Sequence, residues 1–289
     1  MAKFLTLNTH SLLGENVEEK LKILGDEIFS GDYDVVCLQE VNQLMTSDTT
    51  QDLPGYCPVA GEIAIHEDNY GLQLARYLAQ KGTTYYWSYA YNHVGYDRFN
   101  EGVAIFSKEP LEASSVLVSK SDDPSDYHTR KMLFCQTVVD GKKTCVASAH
   151  FSWLKDGFLD EWENAVEALA AQGESLVIMG DFNNPANTKG YQAILDSKLS
   201  LRDTYAEADV KEGENTIEAD IDGWEGNKDA LRIDFIFATK NFVSQTSRVV
   251  FDGKKMPAIS DHFGVSCEAT VGLPHRERRQ FHQQLQHRG

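Results

Sequence analysis

The sequence has little basic charge and no long apolar run. Its 289 residues carry 27 basic and 44 acidic side chains, which gives a net charge of −17. Nonspecific nucleic-acid binding needs basic contacts to phosphates, so this charge balance argues against a nucleic-acid partner. No apolar run approaches the roughly 18 residues of a membrane span, and the apolar stretch from Phe4 to Leu7 is too short for a secretory signal. We therefore expect a cytoplasmic protein without a membrane partner.

Cysteine is also scarce. The five cysteines are odd in number and form no C-x-x-C pair. Neither a disulfide framework nor a zinc knuckle is predicted, and buried free thiols are the simpler interpretation.

The last residues differ in character from the rest. Four arginines and one glutamate lie in residues 274–289, and without that segment the chain has 23 basic and 43 acidic residues. We expect one domain over residues 1–273, followed by a tail over 274–289 that is disordered or left over from expression. A partner-binding helix is the alternative for the tail. The sequence leaves the oligomeric state open.

Apolar periodicity predicts more strands than helices, and turns such as Asp140-Gly141 join many of the strands. Two sheets packed on each other with helices outside fit this pattern better than one doubly wound parallel sheet. An acidic segment over 205–229, which includes Trp224, is predicted as a long surface loop. The predicted helices are 17–30, 71–81, 159–171 and 190–196; the predicted strands are 2–9, 34–39, 85–91, 103–107, 116–119, 131–139, 144–151, 176–180, 233–238, 247–251 and 264–269.

The most informative motif is Gly180-Asp181-Phe182-Asn183, which follows the apolar run 175–179. Side chains along a strand alternate, so Asp181 and Asn183 project to the same side if the strand continues. A carboxylate beside a carboxamide is suited to holding a water molecule and a phosphate oxygen.

Similar polar clusters occur at other predicted strand ends. They contain Asn8, Glu40, Glu101, His150, Asp234 and the pair Asp261-His262. Buried carboxylates oppose folding unless something compensates them, and a shared Mg²⁺ or Mn²⁺ would do so. Each residue alone also has an ordinary explanation: Asn8 as a turn residue, Glu40 as a helix cap, His150 as a core histidine, and Asp261-His262 as a surface pair.

The order of these motifs resembles the endonuclease/exonuclease/phosphatase superfamily. The matching stretches run from Leu-Asn8 to Ser-Asp261-His262 and include Asn-Glu101-Gly-Val-Ala-Ile-Phe-Ser and Arg-Ile-Asp234-Phe-Ile. That superfamily includes DNase I, exonuclease III-type nucleases, neutral sphingomyelinases and inositol polyphosphate 5-phosphatases. The resemblance implies an α/β fold, a four-layer α/β/β/α sandwich of two mainly antiparallel sheets, and Mg²⁺-dependent phosphoester hydrolysis, with Mn²⁺ as a possible substitute.

The resemblance also implies a role for each residue. Glu40 would bind the metal, with Asn8 beside it, and Glu101 would orient His150 or reach the metal. Asp181 would orient or deprotonate the attacking water. Asn183 would hold the water or a phosphate oxygen, and His150 and His262 would transfer protons or stabilise charge. Asp261 would orient His262, and Asp234 would support the His150 side of the site.

The surrounding motifs resemble a bacterial branch that includes maltose 6′-phosphate phosphatase. Aromatic faces beside hydrogen-bonding side chains suit a sugar, which makes His93, Tyr96 and Trp224 candidate substrate contacts, and Arg130 or Lys131 would hold phosphate. We therefore expect a phosphomonoesterase acting on a sugar phosphate. The alternatives are a nuclease, a sphingomyelinase-type phosphodiesterase, and a catalytically silent binding module.

Overall fold

Two β-sheets packed face to face form the centre of the molecule. The computed structural model describes residues 1–272, so the predicted tail over 274–289 lies outside the described residues. The strands are β1 (Ala2–Asn8), β2 (Val35–Leu44), β3 (Tyr86–Gly95), β4 (Phe99–Ser107), β5 (Glu112–Leu117), β6 (Lys131–Val139), β7 (Lys142–His150), β8 (Leu176–Asp181), β9 (Arg202–Asp203), β10 (Val210–Glu212), β11 (Asp234–Ala238), β12 (Phe242–Val250) and β13 (Gly264–Val271). The α-helices are α1 (Val17–Gly31), α2 (Tyr70–Gln80), α3 (Phe158–Ala170), α4 (Lys189–Leu195) and α5 (Thr204–Glu207).

The strand order is β10-β12-β13-β1-β2-β4-β3 in one sheet and β5-β6-β7-β8-β11-β9 in the other. Most neighbours are antiparallel, whereas β1–β2, β7–β8 and β10–β12 are parallel. The predicted pair of packed sheets is therefore confirmed, and both sheets are mixed.

Three apolar clusters separate the layers. Leu24 and Ile28 of α1 pack with Leu74 of α2 over one sheet, and Trp162 of α3 packs with Ile194 of α4 over the other. A third cluster lies between the two sheets. Helices with one apolar stripe bury it in this way on the outer face of a sheet. The predicted α/β/β/α layering follows from these three interfaces.

Several predicted segments need correction. β2 and β3 extend beyond the predicted strands 34–39 and 85–91, and β4 and β12 begin earlier than the predicted strands 103–107 and 247–251. The strand predicted over 116–119 is β5, which begins earlier, at Glu112, and pairs at the sheet edge with β6. Its Ala-Ser-Ser sequence gives a weak apolar signal, so its start could not be read from periodicity. The loop predicted over 205–229 contains most of α5 and the exposed strand β10.

The topology brings several strand ends to one edge of the sandwich. In the parallel pair β1–β2, Asn8 lies opposite Gln39. In the other sheet, Asp181 lies opposite His150 on β7 and opposite Asp234 on β11. Polar residues separated by up to 226 positions therefore meet at one cleft. Within the described residues, no helix is long and apolar enough to span a membrane.

Candidate active site

Two carboxylates and an imidazole form the centre of the cleft. Ligand atoms of Glu40, Asp181 and His262 all lie within 4.8 Å of one another. The Asn8 amide Nδ2 contacts Glu40 Oε2 and lies 3.0 Å from Asp181 Oδ2. Asn8 and Asp181 are fully buried. The structure thus joins four of the residues singled out in the sequence.

Backbone irregularities aim these side chains. Glu40 adopts φ 50°, and the β2–β4 register shifts between Leu38 and Val41, which marks a bulge. Bulges redirect side chains next to active sites. On β8, a Cβ at Gly180 would lie 1.9 Å from the Ala149 carbonyl oxygen, so the close approach of β7 and β8 requires glycine there. The tight pairing fixes Asp181 beside the end of β7.

Asp234, and not Asp261, orients His262. Asp234 Oδ2 accepts a hydrogen bond from His262 Nδ1 at 2.9 Å. The structure thus gives Asp234 the contact with the His262 ring that was predicted for Asp261, and support of the His150 side by Asp234 stays a prediction. Asp261 accepts a hydrogen bond from Ser260 Oγ and lies 3.5 Å from His10 Nδ1. Its adjacency in sequence to His262 does not make it the hydrogen-bond partner of the His262 ring, because residues 260–262 form a bend ahead of β13 and Asp234 takes that position.

His262 is held by negative charge. Burial opposes its protonated form, but the charges on Asp234 and Asp181 outweigh burial and raise the pKa of His262 well above its usual value. The imidazolium in turn lowers the pKa of Asp181, although burial of that carboxylate acts in the opposite direction. The cleft therefore stabilises an ionised Asp181 next to a protonated His262.

His150 and Glu101 do not form the predicted pair. His150 Nε2 lies 3.3 Å from Asp181 Oδ2, and its buried Nδ1 has no hydrogen-bond partner among residues 1–272. Glu101 Oε2 instead lies 3.1 Å from His93 Nε2. Glu101 is also outside the group of Glu40, Asp181 and His262, so its predicted metal contact is absent from that group.

Asn183 and Trp224 support each other. Asn183 adopts φ 49° beyond the end of β8, and its Nδ2 donates to the Phe151 carbonyl oxygen at 2.8 Å. Trp224 Nε1 donates to Asn183 Oδ1 at 3.0 Å. Trp224 lies in a neighbouring pocket and not in the main cavity, whereas Asn183 lines both. The indole predicted to contact substrate therefore fixes the Asn183 amide.

A cavity of about 400 Å³ opens over the cleft. It contains the predicted substrate contacts Arg130, His93 and Tyr96. Lys131 points elsewhere and pairs with Glu62 at 3.0 Å. Sequence reasoning missed several lining residues, which come from loops without a periodic pattern: Tyr127, Trp153, Lys155, Asp156 and Glu225.

Arg130 is a buried cation in this cavity. Its side chain is 3 % exposed, and its Nε has no hydrogen-bond partner among the described residues. The guanidinium lies 5.9 Å from the Trp153 ring centroid and donates weakly to the His150 carbonyl oxygen at 3.4 Å. Glu161 is also buried and lies close enough for its carboxylate to interact with this charge, and that carboxylate accepts a hydrogen bond from the Ser152 backbone at 2.7 Å. Arg130 therefore has a carboxylate nearby, but its Nε is left without a hydrogen-bond acceptor among the described residues.

His10 was also missed. Its Nδ1 lies 3.6 Å from Glu40 Oε1 and 3.5 Å from Asp261 Oδ2, and these carboxylates raise the pKa of His10. The signal in the sequence was only a histidine two residues after Asn8. Its φ of 53° places it in the left-handed region, which no sequence pattern indicated.

Comparison with known families identifies this arrangement. The model of the Endonuclease/Exonuclease/phosphatase family matches residues 5–262. The chain belongs to this family. Its members are metal-dependent phosphoesterases, and the chain is accordingly a phosphoester hydrolase with a candidate metal site.

Solved structures share the fold of this family member. An endonuclease/exonuclease/phosphatase family protein from Leptotrichia buccalis C-1013-b is 28% identical with a TM-score of 0.79, and the match covers 93% of this chain and 100% of that one. The mannosyl-6-phosphatase Bt3783 of Bacteroides thetaiotaomicron VPI-5482 is 17% identical with a TM-score of 0.65, over 93% and 100% of the two chains. D. rerio TDP2 complexed with single strand DNA product is 14% identical with a TM-score of 0.65, over 93% and 98%. A comparison with curated proteins found no match.

The residues of the cleft fit a divalent cation. The buried carboxylate of Asp181 and the largely buried carboxylate of Glu40 lie side by side, which is costly without a compensating charge. Asn8 offers a carboxamide between Glu40 and Asp181, and rotating that amide by 180° would present its oxygen in place of Nδ2. The carboxylate oxygens and the amide oxygen are ligands that Mg²⁺ and Mn²⁺ accept.

Proposed function

We propose that this family member is a Mg²⁺-dependent phosphomonoesterase, with Mn²⁺ as a possible substitute, that acts on a phosphorylated sugar in the cytoplasm. The observation that carries the proposal is Arg130. A guanidinium that is 3 % exposed and has an unpartnered Nε lines the same cavity as Glu40, Asp181 and His262. A buried donor without an acceptor is costly, and an anion in the cavity would supply that acceptor.

A phosphomonoester is better suited than a diester to binding two positive charges, those of the metal and of Arg130. The monoester dianion has three nonbridging oxygens, whereas a diester has two and carries a single charge. Arg130 contributes a planar fork of donors that matches phosphate geometry. We infer that Arg130 binds the oxygen that a second ester group would otherwise occupy.

The protein residues divide the chemistry among them. A metal at Glu40, Asp181 and Asn8 would neutralise phosphate charge as a Lewis acid. Asp181 holds the attacking water, with the amide of Asn183 beside it. The protonated His262, fixed by Asp234, stabilises the negative charge that develops on phosphorus oxygens. His150 lines the cavity and supplies the proton that the leaving sugar oxygen needs.

The sugar assignment rests on the rim of the cavity. Tyr96 and Tyr127 line it and are 48 % and 55 % exposed; the Tyr127 ring packs on His128, and the exposed surface of each tyrosine can stack on the apolar face of a sugar. Asp156, Asp222 and Glu225 offer acceptors for hydroxyl groups. The acidic surface disfavours a polynucleotide. One neighbour in fold is named a mannosyl-6-phosphatase, and another contains a DNA product, so the fold admits both classes.

The test compares monoesters with diesters in the wild type and in Arg130→Met. We expect Mg²⁺-dependent phosphate release from hexose and disaccharide 6-phosphates, with little cleavage of bis(p-nitrophenyl) phosphate, plasmid DNA or sphingomyelin. Arg130→Met should lower kcat/KM for the monoester about 10- to 100-fold and affect any diester activity less, because a hydrogen bond to a charged group contributes about 1.5–3 kcal/mol. Equal losses on both ester classes would contradict the assignment of Arg130, and activity in excess chelator would contradict the metal requirement.

A further inference from the structure

A buried histidine–glutamate pair lies in the cavity outside the catalytic cleft. His93 and Glu101 are 3 % and 5 % exposed and lie opposite each other on β3 and β4. The β3–β4 register shifts between Tyr91 and His93, and this irregularity brings His93 Nε2 to 3.1 Å from Glu101 Oε2. Both residues line the cavity.

The surroundings of the pair fix where its protons are. His93 Nδ1 lies 2.9 Å from the Thr129 carbonyl oxygen, which only accepts hydrogen bonds, so Nδ1 carries a proton. A second proton must lie between Nε2 and the Glu101 carboxyl, since two bare acceptors would repel at this distance. Whichever atom carries this proton, the pair is neutral as a whole, and Glu101 Oε2 is already used in the hydrogen bond with His93.

The other carboxylate oxygen has no partner. Glu101 Oε1 is buried and makes no hydrogen bond among the described residues. Such an oxygen is costly unless a donor reaches it. His93 and Glu101 both line the cavity, so a donor bound there is the group that we expect to reach this oxygen.

Gly95 keeps the space beside this oxygen open. A Cβ at residue 95 would lie 3.1 Å from Glu101 Oε1 and 3.3 Å from its Cβ, closer than most real contacts. The φ of Gly95 is not positive, so its backbone does not require glycine. The absence of a side chain at Gly95 therefore leaves room next to Glu101 Oε1.

We propose that Glu101, held by His93, accepts a hydrogen bond from a hydroxyl group of the leaving sugar. The inference rests on the proposed function and deepens it, because it names the side chain that distinguishes a polyol from a plain alcohol. A neutral pair with one free acceptor suits a neutral hydroxyl better than an ammonium group. The Thr129 carbonyl that orients His93 is adjacent in sequence to Arg130. The same short segment therefore positions both the hydroxyl contact at Glu101 and the phosphate contact at Arg130.

The test uses two phosphate esters that differ in hydroxyl groups. Glucose 6-phosphate and cyclohexylmethyl phosphate both carry a six-membered ring, but only the first has hydroxyls. For Glu101→Gln we expect the ratio of kcat/KM on glucose 6-phosphate to that on cyclohexylmethyl phosphate to fall at least tenfold, because the variant replaces the carboxyl group that His93 holds with an amide. Gly95→Ala should lower the same ratio by a smaller factor, since it crowds Oε1 without removing it.

Glu112→Gln is the matched control, because Glu112 is exposed on the edge strand β5. Its ratio should equal that of the wild type. If Glu101→Gln does not fold, as judged by its melting transition, Gly95→Ala carries the test. Equal losses on both esters in the variants would overturn the inference. If the wild type hydrolyses neither ester, the proposed function is wrong and the inference falls with it.

Discussion

Replacing Asp234 by asparagine tests how the cleft controls His262. Asp234 Oδ2 accepts a hydrogen bond from His262 Nδ1 at 2.9 Å, and Asp234 is 1 % exposed. Asparagine keeps the shape of the side chain but removes its charge. Its amide group can also donate to Nδ1, which would favour a neutral ring that has lost the Nδ1 proton and keeps one only on Nε2, the atom that faces Asp181.

The size of the effect follows from the lost interaction. A hydrogen bond to a charged partner contributes about 1.5–3 kcal/mol, which corresponds to roughly 10- to 150-fold in rate if it acts fully in the transition state. Loss of a correctly protonated group adds to this, since general acid–base catalysis contributes about 10²–10⁴-fold. We therefore expect Asp234→Asn to lower kcat by about 10²-fold or more, with a smaller change in KM.

The assay is steady-state phosphate release by Asp234→Asn and Asp261→Asn, each with a melting curve to show that it is folded. Asp261 contacts Ser260 and lies near His10, but it is not the hydrogen-bond partner of the His262 ring. Asp261→Asn should therefore lose at least tenfold less activity than Asp234→Asn. A variant Asp234→Asn that keeps more than a third of the wild-type kcat, or the reverse order of the two variants, would refute the assigned role of Asp234.

Three further substitutions probe the surroundings of the cleft. Burial raises the pKa of Glu161 above its ordinary value of 4.5. Above pH 4.5 the native state therefore binds more protons than the unfolded state, and the wild type loses stability as the pH rises. Glu161→Gln removes this loss, so urea midpoints should favour the variant increasingly as the pH rises above 4.5, and a constant difference would contradict it. Gly180→Ala should lower the free energy of unfolding by about 1–3 kcal/mol, because its Cβ would lie 1.9 Å from the Ala149 carbonyl oxygen; an unchanged denaturation curve would be the contrary result. Trp224→Phe frees Asn183 Oδ1 and should lower kcat several-fold with little change in KM, whereas a rise in KM alone would mean that the indole contacts substrate.

Local pattern predicted the layers and most strand ends. Apolar runs such as 176–180 identified buried strands, and the polar residues that follow them identified the edge at which the site lies. The two mixed sheets and the placement of Glu40, Asp181 and His262 in one group agree with that reasoning.

The pairing of residues within the site could not be predicted, because it depends on register between distant strands. Asp234 lies opposite Asp181 because β11 runs antiparallel to β8, and from there it bonds to His262. Asp261 is next to His262 in sequence but does not bond to its ring. Likewise, Glu101 meets His93 through a register shift in β3–β4. Such bulges depend on long-range packing and leave no signal in hydrophobic periodicity.

The measurement that tests the central claim most directly is phosphate release from a disaccharide 6-phosphate, with plasmid DNA as the competing substrate. With Mg²⁺ present, we expect the wild type to release inorganic phosphate and leave the plasmid intact. Chelation, Asp181→Ala or His262→Ala should each abolish that release. Nicked plasmid without phosphate release, or full phosphate release in excess chelator, would contradict the account.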